Sequence, residues 1–181
     1  MKMAYHHYSK GKNITIHLKY ISRLTRNQFF YSMIIVRRAI KEDIEALAVL
    51  FDLYRVYYHQ PSDIAAGTKF LLQRMEKEES VIFVAEQDKK LVGFTQLYPI
   101  FTSVGLQRTW LLNDLYVHAS VRKQGVAAQL LEAASVHGKA TGSKWLMLQT
   151  QMDNFAAQSV YEKNGWKKMS DYFYELPLTD K

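Results

Sequence analysis

The stretch from Trp110 to Leu131 constrains this chain most, because it joins a strand, a glycine turn and a helix with little slack. Trp110 to Val117 is rich in apolar and β-favouring residues and reads as a largely buried strand. From about Gly125, the residues Val126, Leu130 and Ala134 fall at i, i+4 and i+8, one stripe of a helix. Between them lies the basic turn Arg122-Lys123-Gln124-Gly125-Val126-Ala127. A strand that enters such a turn and then a helix leaves a row of backbone N–H groups unpaired at the helix start. Together with the positive end of the helix dipole, those donors form an anion site, and phosphate is the natural ligand. The small residues Gly125, Ala127 and Ala128 let a bulky anion come close to the backbone.

The remaining segments frame that unit. Residues 34–38 read as a first strand, and from Lys41 to Gln60 the pattern is helical, with Ile44, Leu47, Phe51, Tyr54 and Tyr58 on one side. Gln60-Pro61-Ser62-Asp63 breaks that helix and caps a second one over 62–79, its inner face predicted as Ile64, Thr68, Leu71 and Met75. Residues 80–86 and 91–101 read as strands joined by a hairpin at 87–90, and 102–108 as a loop. The strand 110–117 and a helix over about 124–137 come next, then a short strand at 144–150. A helix over 154–163 has Asn154 as N-cap and Gly165 as left-handed stop, and 166–169 with 172–176 make a final hairpin. The fold class is therefore α/β in the α+β sense. It has a mixed, largely antiparallel sheet of about six to seven strands, flanked by about four helices.

Charge separates the chain into two parts. Residues 1–32 hold Lys2, Lys10, Lys12, Lys19, Arg23 and Arg26 and no acid, so most of the net charge of +7 sits in this leader. Residues 33–181 are near neutral, which removes most of the support for a nucleic-acid partner. The leader loosely fits a transit peptide. The preferred reading is a start placed too far upstream, because Met33 opens directly onto a strand-like run, Ile34-Ile35-Val36. Residues 33–181 are expected to form a single domain. No stretch approaches the roughly 18 apolar residues that span a bilayer, so no membrane partner is expected. With no cysteine, disulfides, thiolate metal sites and a cysteine nucleophile are excluded, and a reducing cytoplasm suits the chain. The histidines show no metal spacing, and no metal is expected.

Three motifs in order resemble the GNAT superfamily of acetyl-CoA-dependent N-acetyltransferases, over about residues 34–177. Arg122-Lys123-Gln124-Gly125-Val126-Ala127 is similar to the family's pyrophosphate motif, and Leu112-Asn113-Asp114-Leu115-Tyr116-Val117 to the strand before it. Asn154-Phe155-Ala156-Ala157-Gln158-Ser159-Val160-Tyr161-Glu162-Lys163-Asn164-Gly165-Trp166 is similar to the downstream Asn-x-x-Ala-x-x-x-Tyr segment. The resemblance implies that strand 112–117 bulges and that the sheet splits between the strands at 110–117 and 144–150, with acetyl-CoA as co-substrate. It implies cofactor contacts at Leu115, Tyr116, Val117, Arg122, Lys123, Gln124, Gly125, Val126, Ala127, Ala128, Asn154, Ala157, Tyr161 and Lys163. Backbone groups of Leu115 and Val117 would pair with the pantetheine amides as a further strand does, and Asn154 would touch the same arm. Tyr161 would protonate the leaving thiolate, and the Leu115 backbone N–H would polarise the thioester carbonyl.

The same resemblance implies an amine acceptor, of a small molecule or a protein, and a homodimer. Around strand 112–117 the chain is most similar to the diamine and small histone-type members. In the diamine acetyltransferases a glutamate stands where this chain has Asn113, and an amide cannot take a proton. Asp114, adjacent, would face the other side of an unbulged strand. A water chain ending on Asp114, Tyr98 or Glu175 is therefore expected to replace the missing base. Tyr54, Tyr58, Tyr98 and Asn113 are the candidate acceptor-pocket residues. The absence of cysteine and of a Gly-x-Ser-x-Gly elbow points to direct transfer in a ternary complex and away from an acyl-enzyme. A non-catalytic acyl-CoA-binding module is the alternative. If Met33 is the initiator, mass spectrometry of protein from the native host finds it first; an intact Met1 overturns that reading.

Overall fold

The structure, a computed structural model, describes residues 33–178, and the readings of the leader lie outside them. The elements run β1 (Ile35–Arg38), a 3-10 turn (Lys41–Asp43), α1 (Ile44–Tyr57), α2 (Ile64–Glu76), β2 (Val81–Gln87), β3 (Lys90–Thr102) and β4 (Gln107–Val117). A second 3-10 turn (Ala119–Val121), α3 (Val126–Ala140), β5 (Leu146–Met147) and α4 (Phe155–Lys163) complete them. The strands lie side by side in chain order, β1 to β5. Every pairing is antiparallel except β4 with β5, where α3 supplies the long crossover that parallel strands need. The mixed α/β class and the four flanking helices agree with expectation; the sheet has five strands.

Local chemistry explains most boundaries. The β2–β3 hairpin turns on Asp88 and Lys89, both at positive φ (50° and 62°), the two-residue geometry that matches strand twist. The Asp63 carboxylate caps α2, accepting from the Ala66 N–H at 2.9 Å. Asn154 caps α4 likewise, its Oδ1 accepting from the Ala157 N–H at 3.2 Å. Gly165, at φ 83°, ends α4 in the left-handed conformation, and the Trp166 N–H returns to the Tyr161 carbonyl at 3.1 Å. The α1–α2 connection is clipped by the buried Asp52, whose carboxylate accepts from Ser62 Oγ and the Asp63 N–H, each at 2.7 Å. Those donors hold Asp52 below the usual carboxylate range.

The sheet is covered on both faces. On one, Leu47, Ala48, Leu50 and Phe51 of α1 and Leu71 of α2 pack on Ile82, Val84 and Phe94. On the other, Leu130, Leu131 and Ala134 of α3 fill the space over Ala85, Val92, Leu97, Trp110 and Leu112, so the stripe Val126, Leu130, Ala134 is buried as read. Ile64 departs from its predicted inward position and is 45% exposed. The two helices pack tightly at Gly67, where an added Cβ would stand 3.3 Å from the Phe51 ring, so the inner face starts one turn later.

Two strand predictions are corrected. Of residues 144–150 only Leu146 and Met147 pair, opposite Trp110 and Leu111. Neither 166–169 nor 172–176 forms a strand among the described residues. A strand there needs an edge to pair with, and β5 is too short to offer one. Met169, Tyr172, Tyr174 and Leu176 stay exposed, and the segment passes over a cavity of about 810 Å3 against α3 and residues 145–152.

Gly93 sets the distance between β3 and β4, because a Cβ there would lie 2.9 Å from the Tyr116 carbonyl oxygen. Gly93→Ala is expected to destabilise the chain by about 1–3 kcal/mol in urea unfolding, since backbone cannot yield as a side chain does.

Candidate functional site

The site is organised by one irregularity in β4. Gln96 stands opposite Asp114 but its neighbour Leu97 stands opposite Leu112, so Asn113 is an extra residue, a β-bulge. The bulge breaks the alternation of faces. Leu112 packs with Leu131 and Ala134 beneath α3, and Leu115 and Val117 also lie on the α3 side. Tyr116 packs on the α1 side with Tyr54 and Phe94, and Asp114 accepts a hydrogen bond from Tyr54 there. In an unbulged strand Leu112 and Asp114 would share a face. The bulge also brings Asn113 and Asp114 together, Asn113 Nδ2 donating to Asp114 Oδ1 at 3.1 Å.

Asp114 is only 4% exposed and sits in a polar chain. Gln96 Nε2 donates to Asp114 Oδ2 at 2.9 Å and to the Tyr98 hydroxyl at 2.9 Å, while Gln96 Oε1 accepts from Ser80 Oγ at 2.9 Å. Burial raises the proton affinity of Asp114, and the hydrogen bonds from Gln96, Tyr54 and Asn113 act against it. Tyr phenols surround this carboxyl. Burial, helped by Asp114, pushes Tyr98 up to about 12. Burial and the neighbouring Tyr58 push Tyr161 up to about 12. Tyr54 and Tyr58 are also raised, first by burial, and Tyr54 feels Asp114, Tyr58 and Tyr161 together. Tyr54, Tyr58, Tyr98, Asn113, Asp114 and Tyr161 thus converge from α1 and the residue that caps it, and from β3, β4 and α4. Glu175 is exposed, in the segment after α4.

The other half of the site is backbone. The His118 N–H bonds to the Val92 carbonyl at 2.8 Å and the Asp114 carbonyl accepts from Thr95 Oγ1 at 2.8 Å, both towards β3. By the alternation of an antiparallel ladder, Tyr116 also turns inward, and the N–H and C=O of Leu115 and Val117 point outward. On that outer side β5 pairs only as far as Leu111, so the outward groups lie along an open edge. Arg122 Nε donates to the Val117 carbonyl at 3.1 Å, laying a guanidinium across the end of that edge.

The edge leads into the glycine turn. Gly125 takes the left-handed conformation, φ 81°, and as N-cap of α3 it brings no side chain to the first-turn amides. Lys123 is also at positive φ, 64°, and Arg122, Lys123 and Gln124 are exposed. Val126 is buried, and Ala127 and Ala128 are half-buried at the mouth. Across the gap, Asn154 and Ala157 are half-buried on the first turn of α4, Tyr161 is half-buried against Trp166, and Lys163 is exposed. A carboxyl with raised proton affinity, a neutral phenol and an open strand edge ending on a helix N-terminus can bind an anionic, amide-bearing ligand and move protons beside it.

The acetyltransferase (GNAT) family model matches residues 47–166. The chain belongs to the GNAT acetyltransferase family. It is 42% identical over 139 residues to an uncharacterized N-acetyltransferase, YhfO, of Bacillus subtilis strain 168, covering 77% of this chain and 93% of that protein. The crystal structure of a probable acetyltransferase superposes with a TM-score of 0.77 at 39% identity, covering 81% of this chain and 99% of the other. An aminoglycoside N-acetyltransferase solved in complex with CoA has the same fold, at TM-score 0.70 and 20% identity, over 82% of this chain and 97% of the other. The diamine or histone type that strand 112–117 resembles is not singled out by these likenesses.

Ser80 and Gln96 are the features that sequence reasoning missed; the bulge that the resemblance implies for strand 112–117 is present, at Asn113. The signal was the polar pair Thr95-Gln96 in the middle of an otherwise apolar strand, where an unpaired amide is costly.

A carboxyl raised in the folded chain keeps its proton at pH values where the unfolded chain has released it, so Asp114 subtracts stability as pH rises past the unfolded range. Asp114→Asn is therefore expected to melt above the wild type near pH 7, with the gap closing as pH falls to about 3. A calorimetric pH series checks the sign.

Proposed function

We propose that this chain moves an acetyl group from acetyl-CoA to a primary amine by direct attack in a ternary complex. The observation that carries this is the open edge of β4 at Leu115 and Val117, which runs into the uncapped N-terminus of α3 with Asp114 and Tyr161 beside it. These residues fit coenzyme A. The amides at Gly125, Val126, Ala127 and Ala128 suit a pyrophosphate, with Arg122, Lys123 and Gln124 around it. The outward carbonyl of Leu115 and the outward groups of Val117 suit the pantetheine amides, and Asn154, Ala157 and Lys163 line the opposite wall. The co-substrate supplies an activated carbonyl and a thiolate leaving group.

The chain's own groups then balance the protons. Asp114 takes the proton that an ammonium must lose before its nitrogen can attack, and its raised proton affinity suits that role. The Leu115 N–H donates to the carbonyl oxygen as charge grows there. A C–N bond forms and the C–S bond breaks, while Tyr161, held neutral by its raised pKa, offers its phenol proton to the sulfur and is restored by the second proton that the nitrogen sheds as the amide forms. Tyr54, Tyr58, Tyr98 and Asn113 line the acceptor side. The resemblance of strand 112–117 to diamine acetyltransferases puts polyamines at the head of the acceptor panel, and family resemblance supports a homodimer.

A thiol-release assay with acetyl-CoA and polyamines, amino acids, aminoglycosides and lysine peptides tests the reading. Micromolar acetyl-CoA binding without turnover on any of them favours a binding module instead. Tyr161→Phe is expected to lower kcat by about a hundredfold with KM for acetyl-CoA within about twofold. Unchanged kcat removes Tyr161 from the chemistry.

A further inference from the structure

We infer that Gln96, with its amide locked by Ser80, is a positioning residue that aims Asp114 and sets how readily it takes a proton; this rests on the proposed role of Asp114 as base. The chain Ser80–Gln96–Asp114 is buried throughout, with exposures of 5%, 0% and 4%. Every polar atom of the Gln96 amide is used. Oε1 accepts from Ser80, and Nε2 donates one hydrogen to Asp114 and one to Tyr98. Turning the amide over would set its carbonyl against the carboxylate, two acceptors in contact in a dry site.

That locking has a chemical direction. An amide N–H stabilises the ionised carboxylate and does little for the protonated acid. Gln96 therefore offsets part of the burial that favours protonation, and keeps Asp114 available as a base. The geometry is shared with the bulge, since Gln96 is the last residue in register before Asn113 is looped out. Other groups face the carboxyl from each neighbouring element. Tyr54 comes from α1 and Tyr58 caps its C-terminus, Tyr98 comes from β3 and Asn113 from β4 itself, while Tyr161 of α4 meets Tyr54 and Tyr58. Arg74 and Glu79 act on Tyr98 from the far side and are paired with each other at 2.6 Å. Of these groups, Gln96 is the one with both amide hydrogens committed and no freedom to turn.

The test does not need the acceptor to be known. Asp114 is titrated by carbon NMR of its carboxyl in the free, full-length protein, in wild type, Gln96→Met and Ser80→Ala. Methionine keeps the volume and removes the donor. The midpoint is expected to move up by about one pH unit in Gln96→Met and by a smaller amount in the same direction in Ser80→Ala. A Gln96→Met protein that melts like wild type, with an unmoved midpoint, overturns the inference. If Gln96→Met does not fold, an unmoved midpoint in Ser80→Ala overturns it instead. With an amine that turns over, the acidic limb of kcat/KM is expected to follow the NMR midpoint. Asp114→Asn separates the two readings. If it retains full activity, the base assignment falls and takes the positioning role with it. If it loses activity while the Gln96→Met midpoint stays put, only the role of Gln96 falls.

Discussion

The looped-out Asn113 is the constraint on which the rest of this structure depends. One extra residue in β4 turns Asp114 away from the face that Leu112 packs into and towards the tyrosines of α1. The same strand then continues without its neighbour, since β5 pairs no further than Leu111. A regular β4 would bury its carboxyl under α3, on the face where Leu130, Leu131 and Val126 pack. The bulge thus separates two jobs that a regular strand would confuse. Side chains on one face hold a proton site, and backbone groups at the edge stay available for a ligand.

Polar satisfaction shows how firmly that arrangement is held. A buried carboxyl is expensive unless hydrogen-bonded, and here three donors from different parts of the chain converge on it. The cost is only partly offset, because burial still dominates the proton affinity of Asp114. A site that is slightly uncomfortable at rest suits the proton-accepting role proposed for Asp114.

Much of this was readable in the residues. The strand, Gly125 turn and helix of 110–131, the caps at Asp63 and Asn154 and the stop at Gly165 are local devices, each written in a few neighbouring residues. The phenols Tyr54, Tyr58, Tyr98 and Tyr161 were legible as candidates from helix position and motif. What the sequence pattern hid was pairing. Residues 166–169 and 172–176 carry strand-favouring aromatic and apolar residues, yet a strand is made by an edge, and the shortness of β5 cannot be read from the apolar run at 144–150. The facing of Asp114 was hidden for the same reason, since a bulge belongs to two strands at once. Gln96 and Ser80 lie 16 residues apart, and only the β2–β3 register makes them partners.

The clip between Asp52 and the chain at Ser62 and Asp63 bears on recognition as well as folding. It fastens the connection that follows Tyr58, so the wall proposed for the acceptor side is shaped in the free chain. A loop already ordered loses little conformational freedom when a ligand docks, and the entropy of arranging it is paid during folding. A small amine, which brings few contacts of its own, can then be held by a wall it does not have to build.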